Sequence, residues 1–534
     1  MSVNMASRSR KTLGDAVGTG VYHITSTFAN LASTPVLLWG LGLEGYGFLA
    51  LLSAAGKYGG VTDFGIGPSI TRHVAEFDAH GDTGRVRQTI TFGTLFYIAL
   101  LIIAVPTAFL AAPRLVGLGH FHNAAIREQA PALLTAFIAN YFVQLLAGCF
   151  SAALAGLGHV RLTAQINAAS RIIFAIVGIV SMFLHMGLTG ITYAFCVQGV
   201  LVLIITYTIA RRIYGPLFVD PRRLEKATVR RIVSNGGWIQ LSSLMVLIYA
   251  ETDQLVIAAV LGLSASALFD VGSRLARAVR ALAYYFNSAF LPAVASYEAR
   301  FGAERLLEVF ADGTRYLGVV TFFASGMLYV AAAPFVTLWV GPGPHDQTIV
   351  WIVQILVFVY LIDNMLAVAI TMLRGMGLPK IETSYSVVNA VVNILLTIVL
   401  VRPFGMAGIL IGTLGGTVIG AAVFLTVFSR TRSFNVRAAI ARPMLRLAAT
   451  LAATLAAVSI VQQLFFVSLR ANRVGAMVEL AVTVVLYTLV FALALRFVKA
   501  LSPGDRVFLE RAMPSAFKRV FDSRLVRSVF ASNA

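Results

Sequence analysis

Arg274, Arg277 and Arg280 stand at steps of three inside an apolar stretch, LGLSASALFDVGSRLARAVRALAYYFNSAFLPAVASYEAR, residues 261–300. The stretch is long enough to cross a bilayer. Arginine at bilayer depth costs about 3 kcal/mol on insertion scales, so such residues face a bundle interior or a wet cavity. Steps of three gather the guanidinium groups within an arc of about 120° on one helix face. A cationic stripe of this kind suits an anionic ligand.

Two further bases, Lys57 and Arg171, and five acids, Asp63, Glu251, Asp253, Asp270 and Asp363, also lie within apolar spans. Depth sorts them. Glu251, Asp253 and Asp270 belong to the outer half within reach of Arg274, and Asp270 and Arg274 are one helical turn apart. Lys57, Arg171, Arg277 and Arg280 lie further in, against Asp63 and Asp363. The expectation is a net positive inner cavity, with Arg274 occupied by acids; full pairing of acids with bases is the alternative. Intramembrane acids also serve as proton or cation sites, which makes Asp63, Glu251, Asp253 and Asp363 candidates for ion coupling. A voltage sensor shares the arginine spacing, but no stretch reads as a pore loop.

The elements that must hold these charges are transmembrane helices. The chain has 534 residues, 58% apolar and 12% charged, with a mean hydropathy of +0.83. Soluble proteins carry about 25% charged residues. Apolar runs of spanning length recur, and the alternation of a membrane barrel is absent, so the expected fold is an all-α polytopic membrane protein. The net charge of +19 reads as cytoplasmic-loop lysine and arginine rather than a nucleic-acid surface. Cys149 and Cys196 read as packing residues, and neither a metal site nor a cofactor is expected. No Walker motif is present, so ATP hydrolysis by this chain is not expected. The basic N-terminus, MSVNMASRSRKT, leads into a long span and reads as a retained first helix.

Gly/Pro and charge punctuation gives about fourteen spans, among them 13–41, 45–70, 235–261, 264–296 and 313–341, the first, second, seventh, eighth and ninth. They group into a cytoplasmic N-terminus (1–12), an N-lobe of spans 1–6 (13–211), a basic linker (212–234), a C-lobe of spans 7–12 (235–430), spans 13 and 14 (431–498) and a basic tail (499–534). Of the 42 Lys and Arg, placing the N-terminus inside puts 32 on the cytoplasmic side, five outside and five within spans. The positive-inside rule then sets both termini in the cytoplasm. The tail reads either as an amphipathic helix on the anionic inner leaflet or as partly disordered.

The two halves repeat. Leu41-Gly42-Leu43 matches Leu261-Gly262-Leu263, Pro68 matches Pro292, and Gly156-x-Gly158 matches Gly375-x-Gly377. Asn167-Ala168 matches Asn389-Ala390, and Gly187-x-x-Gly190-Ile191 matches Gly405-x-x-Gly408-Ile409, at offsets of 218 to 224 throughout. Six spans per repeat give parallel repeats, for which substrate is expected between the halves under alternating access. Lys57 falls opposite Arg277, each about 18–20 Å from the outer end of its span at 1.5 Å per residue. Span 1 adds a polar stripe, Thr19, Tyr22, His23, Ser26, Asn30 and Ser33, suited to a hydrated cavity or to helix contacts. Tyr284, Tyr285 and Phe286 read chiefly as packing, with stacking on sugar rings as the alternative.

Residues 41–76, LGLEGYGFLALLSAAGKYGGVTDFGIGPSITRHVAE, resemble the second-span region of bacterial polysaccharide exporters of the O-antigen flippase (Wzx-like) type, in the multidrug/oligosaccharidyl-lipid/polysaccharide superfamily. The pieces that carry the resemblance are Leu-Gly-x-Glu-x-Tyr-Gly (41–47), Asp63-Phe64-Gly65-Ile66-Gly67, and Asp253 with the Ile/Leu/Gly-rich run after it. The resemblance implies two six-helix lobes around a cavity lined by spans 1, 2, 7 and 8. It also implies a bacterial inner-membrane protein that moves an undecaprenyl-diphosphate-linked oligosaccharide to the outer leaflet, not an enzyme. Lys57, Arg277 and Arg280, with Arg274 and Arg171, would neutralise the anionic head group while the lipid tail stays in the bilayer. A polysaccharide polymerase and glycosyltransferases would be the protein partners. A peptidoglycan lipid II flippase and a small-molecule efflux antiporter are the alternatives in the same superfamily. A membrane glycosyltransferase would show a large external loop or a loop-borne Asp-x-Asp, and neither is found.

Overall fold

In a computed structural model, the structure describes residues 2–117, 121–220, 224–225, 247, 251–375, 379–431, 442–466 and 472–498. Side chains are described for these residues other than 2–27, 61, 283–310, 374–375, 379–380, 384, 431 and 442. The tail (499–534), most of the linker, span 7 before residue 251 apart from residue 247, and Gly377 lie outside the described residues. So do the side chains of Thr19, Tyr22, His23, Ser26, Tyr284, Tyr285, Phe286 and Pro292.

Every regular element among the described residues is helical. The reason is the solvent: hydrocarbon offers no partner for backbone N–H and C=O groups, so each segment satisfies its own. Helix α1 runs Ser2–Tyr58 and is followed by a 3-10 turn, Gly59–Asp63. Then come α2 (Ile66–Ala79), α3 (Thr83–Gly117), α4 (Ala124–Gly156), α5 (Val160–Phe183) and α6 (Gly187–Tyr214). The described end of span 7 is α7, residues 251–260. The rest are α8 (Leu263–Trp339), α9 (Asp346–Gly375), α10 (Pro379–Phe404), α11 (Met406–Thr431), α12 (Arg442–Phe465) and α13 (Arg473–Val498). Eleven helices among the described residues are long and apolar enough to cross a membrane. The chain is an all-α polytopic membrane protein.

Three expected spans take a different form. Span 2 is broken in its C-terminal part: α1 ends at Tyr58, and Phe64 and Gly65 take positive φ of 50° and 69° before α2 begins. Spans 8 and 9 are one continuous helix, α8, of 77 residues, of which Ala311–Trp339 is the candidate crossing. Polarity in the stretch between them suggested a loop, but no proline stands there, and the single Gly302 does not end the helix.

The repeat is visible in the backbone. Gly42 and Gly262, matched in sequence, have φ of 67° and 90° and each interrupts helix at the same point of its half. Gly187 and Gly405, also matched, have φ of 55° and 57°. L-residues with side chains rarely adopt this region, so glycine is required at each corner.

Packing divides the chain into two compact units, Met1–Asp270 and Val271–Ala534. The first has a core of Ile70, Val74, Ile90, Tyr97, Cys149 and Phe150 between α2, α3 and α4. Cys149 packs as expected, whereas Cys196 on α6 is exposed. After α6 the chain folds back on this unit. Gly215 turns it at φ 79°, Leu217 enters the core, Phe218 stacks on Tyr207 at 6.3 Å, and the Val219 N–H donates to Thr91 Oγ1 at 3.0 Å. The second unit has one core of Met372, Leu373, Tyr385, Phe424 and Phe428. A second core, of Phe322, Leu451, Val458, Tyr487 and Phe491, joins α12 and α13 to the later part of α8.

The motif at residues 41–47 is structural at almost every position. Glu44 accepts from the backbone N–H groups of His122 and Asn123, at 2.6 and 3.1 Å, and so fixes the turn before α4. Tyr46 Oη donates to Asp270 Oδ2 at 2.8 Å with both residues buried. Gly47 lies directly against the Leu263 backbone carbonyl. Replacing Gly47 by Ala drives a methyl into that carbonyl, where neither backbone can yield cheaply. Gly47→Ala is therefore expected to lower both the folded yield in membranes and the melting temperature in detergent. Gly84→Ala, where only the Asp82 carboxylate is near, at 3.4 Å, is expected to change neither.

Candidate functional site

Lys57 is in the last turn of α1, just before the break in span 2. Its Nζ lies 2.6 Å from Glu251 Oε1 on α7, with side-chain exposures of 45% and 12%. Beside this ion pair, Tyr58 Oη and Thr252 Oγ1 are 2.8 Å apart. Depth put Glu251 within reach of Arg274; the structure pairs it with Lys57. Three residues of one turn, 251 to 253, thus meet or neighbour the C-terminal end of α1. Asp253 is buried, which fits a structural polar contact more than a solvated face.

Asp63 closes the break. Both carboxylate oxygens face the Gly67 N–H at 3.3 Å, at the start of α2, and one accepts from the Tyr97 hydroxyl of α3. A carboxylate at a helix N-terminus is favoured by the exposed N–H groups and the helix dipole. Thr62 Oγ1 donates back to Gly59 O at 2.6 Å. A methyl on Gly59 would lie 2.7 Å from the Tyr141 ring, so glycine is needed for this close approach. The Asp63-Phe64-Gly65-Ile66-Gly67 motif is thus a helix break and restart whose cap is Asp63.

The arginine stripe sits on α8. Arg274, Arg277 and Arg280 are all partly buried, and the Arg280 guanidinium carbon lies 5.8 Å from the ring centroid of Tyr360 on α9. Around the stripe α8 is clamped to α9: Gly272 meets Ile352, and Asn364 Nδ2 donates to Val279 O at 2.9 Å. The arginines therefore project from a helix segment held rigidly by its neighbour. Asp270, one turn before Arg274, accepts from Tyr46 as described, a partner that depth alone did not suggest. Arg171 is exposed on α5.

Asp363 on α9 heads a relay that sequence reasoning missed. Tyr385 Oη of α10 donates to Asp363 Oδ1, and Asn389 Nδ2 donates to Tyr385 Oη at 3.2 Å. The signal was present, since Tyr385, Asn389, Asn393 and Thr397 recur every four residues. Among the described residues no group of three or more His, Cys, Asp or Glu could hold a metal ion.

The architecture is similar to that of solved structures. The structure is similar to a lipid II flippase, MurJ, in an inward closed conformation, with TM-score 0.69 at 13% identity over 91% of this chain and all of that one. It is also similar to a multidrug resistance MATE family transporter of the MOP superfamily in an inward-facing conformation, with TM-score 0.64 at 15% identity over 78% of this chain and 99% of that one. These likenesses show the fold alone: the chain shares the helical architecture of those two structures. Family comes from the sequence, since the polysaccharide biosynthesis protein family matches residues 19–298. The chain belongs to that family. It is 22% identical over 325 residues to the uncharacterized membrane protein EpsK of Bacillus subtilis (strain 168), and the match covers 60% of this chain and 63% of that relative's length.

The Lys57–Glu251 pair can be weighed. With Lys57 nearly half exposed, solvent screens the attraction, and such pairs contribute about 0.2–1 kcal/mol. A double-mutant cycle of Lys57→Met and Glu251→Gln, read by melting temperature in detergent, is expected to give a coupling within that range. A coupling several times larger would mean that the pair is desolvated and structural.

Proposed function

We propose that this chain is a flippase for an undecaprenyl-diphosphate-linked oligosaccharide, carrying it from the cytoplasmic to the periplasmic leaflet of a bacterial inner membrane for surface polysaccharide assembly. The observation that carries the reading is the partly buried arginine stripe on α8, on a segment packed against α9, in a chain of the polysaccharide biosynthesis protein family. A diphosphate with a sugar head group cannot cross hydrocarbon unaided. Arg277 and Arg280 bind its oxygens, and guanidinium groups suit phosphate because they donate in a planar fork. Lys57, their counterpart in depth, is the third cation, and release from Glu251 frees it for the substrate. Arg274 and Arg171 take lesser parts. The polyprenyl tail stays in lipid throughout.

Transport proceeds by alternating access without ATP hydrolysis by this chain. Ion coupling through Asp63, Glu251, Asp253 or Asp363 supplies the drive. Both termini lie in the cytoplasm, as the 32-to-5 distribution of Lys and Arg requires under the positive-inside rule. Glycosyltransferases supply the substrate on the inner face, and a polymerase consumes it outside.

The test is loss of export with retention of protein. A strain lacking the gene is expected to accumulate the lipid-linked glycan on the cytoplasmic face. The Arg277→Ala/Arg280→Ala protein, inserted at normal abundance, is expected to leave that block in place, with export at least tenfold below wild type. Full export by the double variant would end the cationic-site reading. Accumulation of a peptidoglycan precursor instead of a surface-glycan precursor would move the chain to lipid II transport. Flipping in vesicles is expected to fall when the ion gradients are dissipated, and unchanged flipping would remove the coupling role of the acids.

A further inference from the structure

The arginine stripe on α8 is met by a tyrosine that recurs in both halves of the chain. Arg280 lies over the ring of Tyr360, with its guanidinium carbon 5.8 Å from the centroid. One turn further along α9, the buried Asn364 donates to the carbonyl of Val279, the residue before Arg280, at 2.9 Å. Val357, Val359 and Leu361 flank Tyr360 on α9, and all three are buried. Ring and arginine thus stand on two helix turns whose register is set by a hydrogen bond and by packing.

The matching place in the first half makes the same contact with a different partner. Gly156 and Gly375 end α4 and α9 at an offset of 219 residues, and the same offset carries Tyr141 onto Tyr360. Lys57 and Arg277 are related by 220, and that offset carries Gly59 and Gly60 onto Val279 and Arg280. A methyl on Gly59 would lie 2.7 Å from the Tyr141 ring, and one on Gly60 would lie 4.0 Å from its hydroxyl. In each half, then, a tyrosine faces the same two positions. In the first half they are glycines, and the ring packs on backbone. In the second half one of them is an arginine, and the ring meets a cation.

The effect of a ring on an arginine differs from that of an acid. An arginine side chain gives up rotamer freedom when a ligand captures it, and one already held gives up less. A carboxylate can hold the guanidinium, but it takes the N–H edge that a phosphate needs and cancels the charge. An aromatic ring attracts the group through its negative face and adds no charge of its own. Phosphate binds along the edge, through parallel N–H donors. Ring and phosphate can therefore engage one guanidinium together.

We propose that Tyr360 is a positioning residue: it holds Arg280 by the face so that the N–H edge is presented to the diphosphate of the substrate. The role rests on the reading of Arg280 as a diphosphate ligand. Affinity for the diphosphate then depends on the electron density of the ring at position 360, and it does so through Arg280.

The test is binding of undecaprenyl diphosphate to the purified full chain in detergent, read as a dissociation constant. Tyr360→Leu is expected to weaken binding about tenfold, within the range that a cation–π contact spans. Tyr360→Phe, followed by mono-, di- and trifluorinated phenylalanine at the same position, keeps the shape of the ring while withdrawing its electrons. Affinity is expected to fall stepwise along that series. In an Arg280→Ala background the series is expected to be flat and Tyr360→Leu to add no further loss, because effects that act through one contact do not add. A flat series with Arg280 present would overturn the proposal, as would an equal loss from Tyr360→Leu with and without Arg280. Should Tyr360→Leu fail to fold, the fluorinated series, which preserves the packing, decides alone. Weakened binding by the Arg277→Ala/Arg280→Ala protein together with a flat series would end this role and leave the diphosphate reading in place. Undiminished binding by that double variant, or none by the wild-type protein, would end both.

Discussion

Hydrocarbon gives a buried polar group no alternative partner, and almost every polar side chain described above is arranged around that fact. Backbone groups are consumed within helices. Side chains that must remain polar at depth are joined in pairs and short relays: Tyr46 with Asp270, Lys57 with Glu251, Asp63 with Tyr97, Asn389 with Tyr385 and Asp363. Tyrosine recurs in these contacts for a physical reason. It brings a hydroxyl to a carboxylate while its ring satisfies the apolar surroundings, so an acid can be kept without a second charge.

The same constraint explains how charges and glycines are distributed. Close helix approach in lipid rests on van der Waals contact rather than on expulsion of water, and glycine permits it. Gly47 against Leu263, Gly59 against Tyr141 and Gly416 against Asn393 are three uses of that device. Each brings polar groups of two helices together, and each lies beside one of the polar contacts. Packing and polar satisfaction are therefore one design problem here.

Much of this was legible in the chain. Hydropathy and length gave the helical membrane class, and the matched glycines gave the repeat, because a backbone corner at positive φ can be filled by few residues. Gly42 and Gly262 are visible in sequence for that reason. Pairing was less legible. Depth along a helix is one coordinate, and rotation about the axis decides which of two acids at one depth a base meets. Hence the contacts of Glu251 with Lys57 and of Asp270 with Tyr46 did not follow from depth. The break at Asp63 was hidden because Gly-Ile-Gly is tolerated in an apolar run, and the continuity of α8 was hidden because polar residues there suggested a loop. The relay through Tyr385 and Asn389 was overlooked because hydroxyls and amides carry no charge and so drew no notice.

The folded-back segment after α6 changes the mechanics of the connection between the halves. Counted in sequence, the covalent link begins at Arg212. Counted from where the chain is last pinned, through Leu217, Phe218 and Val219, it begins at Asp220, eight residues later. Three of those eight lie in α6, so five extended residues are lost and, at about 3.3 Å each, the greatest reach shortens by roughly 17 Å. The entropic cost of closing such a loop changes only slowly with length. Pinning this segment to the first half therefore changes the reach of the connection more than the cost of closing it.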